Sequence, residues 1–174
     1  SLKDPTLIVD FILSCTTADH DKFRCNLRHG LTNCRIKYKR EKKGRVAFLG
    51  GSITYNPGWR NMLCQYLQQR FPETQFEFIA AGIPSTGSTP GAFRLRHDIF
   101  KNGPVDLLFE EAAVNDATNG RSDIEQIRGM EGIVRQARML NSNIDIILMH
   151  FVDPEKMKVY NEGGVPAVIR NHEK

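Results

Sequence analysis

The stretch Arg45-Val46-Ala47-Phe48-Leu49-Gly50-Gly51-Ser52 limits what the chain can fold into more than any other. A short apolar run between a charge and a pair of glycines matches a strand buried on both faces, the habit of a parallel sheet. Ser52 then lies just past the strand's C-terminal end, where open α/β sheets hold their ligands. A hydroxyl in that position is a candidate nucleophile.

The rest of the chain repeats the strand-and-helix unit. Trp59 to Phe71 carries Leu63, Tyr66, Leu67 and Phe71 on one helical face. Phe76 to Gly82 predicts a second strand, Ala92 to Phe100 a short helix, and Val105 to Phe109 a third strand after the breaker Asn102-Gly103-Pro104. Ser122 to Leu140 predicts a long amphipathic helix with Ile124, Ile127, Met130, Ile133, Val134 and Ala137 inward. Ile144 to Met149 is a fourth strand, and Pro154 to Lys174 holds further helix, interrupted at Gly163-Gly164. Such alternation predicts a mainly parallel sheet with helices on both faces, a three-layer α/β/α sandwich of flavodoxin-like type spanning 45–174.

Residues 1–44 read as an irregular N-terminal extension. Thr6 to Thr16 predicts a strand or buried extended segment, and Thr17 to Asn33 is polar and aperiodic. Ile12-Leu13-Ser14-Cys15 resembles a lipoprotein cleavage site only faintly, since Asp10 interrupts its apolar stretch and no basic leader precedes it. Arg35 to Arg45 contributes much of the net charge of +4 and reads as a solvated connector rather than a nucleic-acid site. No run approaches the roughly 20 apolar residues of a membrane helix. Cys15, Cys25, Cys34 and Cys64 show no metal-ligand spacing, so neither a metal nor a cofactor is expected.

In a parallel sheet the residues that follow each strand become neighbours. Here they are Gly51-Ser52, Gly82, Asn115-Asp116 and His150. A serine attacking a carbonyl generates an oxyanion, which needs preorganised donors. The N–H groups of Ser52 and Gly82 and the side-chain amide of Asn115 supply three. Gly51, Asp116 and His150 are further pocket candidates, with Asp116 expected to brace its loop. The consecutive acids Glu110 and Glu111 must face the open edge or be paired, and one is expected near the site. His97 and His172 are expected at the surface.

Gly50-Gly51-Ser52-Ile53-Thr54, Ala81-Gly82-Ile83-Pro84-Ser85-Thr86 and Ala113-Val114-Asn115-Asp116 together resemble the first three blocks of the SGNH hydrolases, or GDSL-like lipases and acylhydrolases. The resemblance implies a serine esterase acting through an acyl-enzyme, with Ser52 as nucleophile and Ser52, Gly82 and Asn115 as oxyanion donors. The first block is most similar to members that act on acylated carbohydrates. That implies a small-molecule or carbohydrate ester as substrate and a secreted or periplasmic location.

The family's fourth block, an Asp-x-x-His that supplies the base and its orienting carboxylate, does not occur in this sequence. The expectation is a domain truncated before its base, with poor or absent activity. Two alternatives remain at this stage. In one, Gly-Gly-Ser-Ile-Thr cradles a phosphate in a flavodoxin-like binding domain. In the other, the pocket binds its ligand without catalysis.

Overall fold

Val46, Ala47, Phe48 and Leu49 are at most 1% exposed, as a strand covered on both faces requires. The computed structural model describes residues 30–174; the strand expected over Thr6–Thr16 and the pair Cys15 and Cys25 lie outside them. In chain order the elements are α1 (Thr32–Arg40), β1 (Lys43–Gly50), α2 (Ser52–Tyr55), α3 (Trp59–Arg70), β2 (Gln75–Gly82) and α4 (Ser88–Asp98). They continue with β3 (Leu107–Glu111), α5 (Ala113–Thr118), α6 (Asp123–Leu140), β4 (Asp145–Leu148), α7 (Pro154–Asn161) and α8 (Ala167–His172).

The strands form a four-stranded sheet in the order β2-β1-β3-β4, every pair parallel. Alternate residues of β1 therefore face opposite layers. Val46 and Phe48 pack with Leu107 and Phe109 against Tyr38 of α1 and Leu63, Tyr66 and Leu67 of α3. Ala47 and Leu49 pack with Leu108 against Leu95 of α4 and Met130, Ile133 and Ala137 of α6. This is the expected α/β/α sandwich.

Three details depart from the sequence reading. The basic stretch expected as a connector is largely helix α1, docked on the sheet through the buried Cys34 and Tyr38. Tyr38 meets the rings of Phe71 and Phe76 edge-on, and the Cys34 N–H donates to Asp145 at 2.8 Å. Its cations, and those that follow, pair with acids at the edge where the strands begin: Lys37 with Asp106, Lys42 with Glu73 and Arg45 with Glu77. Local polarity hid a helix that has two buried side chains.

Helix α4 begins at Ser88, earlier than Ala92, because the Asp116 carboxylate accepts the Ser88 N–H and draws the preceding loop residues into the first turn. Ile124 is 51% exposed rather than inward, since small residues Gly129 and Gly132 bring α6 against α4 farther along the helix. Ser122 and Glu125 close α6 with a capping box.

Phe48 lies at the centre of one core layer, stacked on Phe109 at 5.3 Å and edge-on to Trp59 at 5.6 Å. Phe48→Ala is expected to lower the unfolding free energy by about 3–5 kcal/mol, read from the urea midpoint at constant m-value.

Candidate active site

β1 ends at Gly50, and Ser52 opens the single turn of α2. The sheet register sets Gly50 opposite Gly82 of β2 on one side and opposite Glu111 of β3 on the other. The Gly50 carbonyl accepts from Ile83 N–H at 3.0 Å, from Arg94 Nη2 at 3.1 Å and from Thr86 Oγ1 at 3.4 Å. The loop after β2 is thereby fastened to the end of β1. Trp59 Nε1 donates to the Ile53 carbonyl at 3.1 Å and holds the other side of the turn.

Asn115 lies in α5, directly beyond β3, and its Nδ2 donates to the Thr86 carbonyl at 3.0 Å. The same amide packs against Gly51, where an added Cβ would stand only 2.6 Å from Nδ2. At Gly82 an added Cβ would come within 2.3 Å of the Tyr55 nitrogen. Both glycines are therefore required by close approach of backbone or amide rather than by turn geometry. Ser52, half-buried, thus shares one sheet edge with Gly82 and Asn115.

Asp116 turns the other way. Its Oδ1 accepts the Ser88 N–H at 2.9 Å, and its Oδ2 accepts the Ser88 hydroxyl at 2.5 Å and lies 2.9 Å from His172 Nε2. An added Cβ at Gly87 would meet Asp116 Oδ1 at 1.9 Å, so the loop before α4 reaches this carboxylate only as glycine. Asp116 joins α4, α5 and α8, and it adjoins Asn115 in sequence.

A family model for the GDSL-like lipase/acylhydrolase family matches residues 48–172. The chain belongs to that family. Among solved structures, this family member resembles a two-domain esterase active on acetylated mannans, with 26% identity over 84% of this chain and 38% of that one and a TM-score of 0.66. The same esterase co-crystallised with mannopentaose matches at 25% identity over 81% of this chain and 38% of that one, with a TM-score of 0.63. The chain therefore spans 38% of the length of those esterases. No curated protein matches its sequence.

Sequence reasoning misplaced one residue of this GDSL-like domain and left a second unassigned. His172, expected at the surface among polar neighbours, is 4% exposed. In α8 it follows the buried pair Val168-Ile169 at helical spacing, and Asn171 Nδ2 ties the same helix to Asp123 and Gln126 of α6 at 2.9 Å each. That spacing was the available signal. Of Glu110 and Glu111, one of which was expected near the site without a role, Glu111 is 1% exposed and accepts from Gly51 N–H at 3.3 Å and Thr54 Oγ1 at 3.2 Å. Two consecutive acids ending an apolar strand were its signal.

The electrostatics follow from burial. Glu110 is held well above the usual carboxylate range by desolvation, reinforced by the charges of Glu111 and Asp116. Burial lowers His150 to about 4, with His172, whose ring centre lies 5.7 Å away, adding to the effect. His97 is 83% exposed and pairs with its neighbour Asp98.

Asp116→Ala removes the acceptor for three buried donors and is expected to cost about 3–5 kcal/mol, measured by urea unfolding at neutral pH. Because the folded-state value of His150 is depressed, its stabilising contribution is complete above the ordinary 6.5 and is lost as pH falls toward about 4. His150→Gln should therefore flatten the fall in melting temperature between pH 6.5 and 4.

Proposed function

We propose that this chain carries the nucleophile and oxyanion site of a serine esterase that removes acyl groups from carbohydrate esters. The observation that supports it best is the shared edge: Ser52 at the start of α2, Gly82 in register with Gly50, and Asn115 packed on Gly51. In this reading Ser52 Oγ attacks the ester carbonyl carbon as its proton passes to a general base. The N–H groups of Ser52 and Gly82 and the Asn115 amide receive the oxyanion. Collapse of the tetrahedral intermediate breaks the bond to the alcohol oxygen, which takes up the proton and leaves. Water then attacks the acyl-enzyme and releases the carboxylic acid and Ser52.

Acetylated carbohydrate is the substrate class best supported, because the similar two-domain esterase acts on acetylated mannans. The phosphate-cradle alternative fails on electrostatics. The Glu111 carboxylate already takes the Gly51 N–H, so a phosphate there would meet a buried acid.

The base is a separate matter. His172 is buried against Asp116, and the chain has no Asp-x-x-His. Turnover by these 174 residues is accordingly expected to be slow, with the nucleophile and its oxyanion donors in place.

A fluorophosphonate, whose phosphorus accepts Ser52 Oγ with loss of fluoride, is expected to add its mass at Ser52 and nowhere in Ser52→Ala. Asn115→Ala should slow this labelling by about 10²–10³-fold. Peptide mass spectrometry reads both; labelling that survives in Ser52→Ala, or no adduct at any pH, would refute the assignment.

A further inference from the structure

Glu111 is not explained by folding stability. Enclosing a carboxyl group costs free energy that hydrogen bonds must offset. One of its oxygens, Oε1, is buried with no hydrogen-bond partner among the described residues. Oε2 takes both Gly51 N–H and Thr54 O–H, and these two donors flank Ser52 in sequence. Its position opposite Gly50 in the parallel register sets it beside this turn.

We infer that Glu111 is the positioning residue of the Ser52 turn: its ionised carboxylate clamps Gly51 and Thr54 on either side of the serine, and protonation at Oε1 loosens the clamp. The orientation of Ser52 for attack then depends on the charge of a group that never touches substrate. The inference rests on the esterase reading for its catalytic meaning, and on the hydrogen bonds alone for its geometry.

A hydrogen bond to a charged acceptor is roughly twice as strong as one to a neutral acceptor, so the two protonation states hold the turn differently. Burial pushes the Glu111 carboxyl up to about 7; the Gly51 and Thr54 donors oppose this, and Asp116 adds to it. The charged and titratable groups around it are Glu110 beside it on β3, Asp116 on α5 and Arg94 on α4, whose guanidinium reaches the Gly50 carbonyl. Behind Asp116 stand His172 on α8 and His150 beyond β4.

The test uses ¹⁵N-labelled chain between pH 5 and 9. The Gly51 amide proton is expected to titrate with a midpoint near 7 in the wild type and not in Glu111→Gln. Thr54→Val, which removes one donor that lowers the value, should move that midpoint upward. In parallel, the ratio of wild-type to Glu111→Gln fluorophosphonate labelling at Ser52 should rise about fivefold between pH 5.5 and 8.5, the factor expected when a hydrogen bond gains charge. Taking the ratio cancels any base that titrates in both proteins.

The folded value lies above the ordinary one, so the stability Glu111 contributes is complete below about 4.5 and is lost as pH rises through about 7. Glu111→Gln should therefore melt higher than wild type at pH 8, and the difference should vanish near pH 5. A slower but more stable variant is the signature of a positioning role. A Gly51 amide that does not titrate, one that still titrates in Glu111→Gln, or a flat labelling ratio would overturn the inference. Absence of any Ser52 adduct in wild type would instead refute the esterase reading, while the amide titration still decides whether Glu111 clamps the turn.

Discussion

The parallel register of β1 with its two neighbours is the constraint on which the site depends. Gly50 stands between Gly82 and Glu111, so one strand end brings together the serine turn, the loop after β2 and the end of β3. A slip of one residue would exchange the side chains that β1 sends into the two layers, placing Phe48 where Ala47 or Leu49 now packs. The apolar packing of Phe48 and Leu49 into opposite layers therefore fixes the strand end that Ser52 follows.

Around that register the molecule encloses an unusual amount of acid. Glu110, Glu111 and Asp116 are each at most 1% exposed and lie close enough to influence one another. Asp116 is fully engaged by Ser88 and His172, Glu111 is engaged at one oxygen, and Glu110 Oε2 has no partner among the described residues. Like charges in one low-dielectric region cannot all ionise cheaply. The three acids span the end of β3 and the start of α5, where Asn115 lies.

The cationic face is at the opposite edge. Lys37, Lys42 and Arg45 are paired with acids where the strands begin. The exposed Lys42–Glu73 pair contributes little, and α1 is held by Tyr38 and Cys34 in the apolar layer together with the partly buried Lys37–Asp106 pair. A run that looks like a charged tether in sequence is thereby part of the sandwich.

Periodicity alone determined the strand order of appearance, the helical layers and the meeting of Ser52, Gly82 and Asn115, because burial on both faces leaves an unbroken apolar run and sheet ends collect their loops on one edge. Three motif blocks in the right sequence order also sufficed for the family. Tertiary structure alone decided the rest. Local composition could not show that α1 docks, that His172 is buried against Asp116, or that Glu111 rather than Glu110 reaches Gly51. Each of these turns on contacts between residues more than 30 positions apart, and a hydrogen bond across such a distance leaves no trace in the neighbouring sequence.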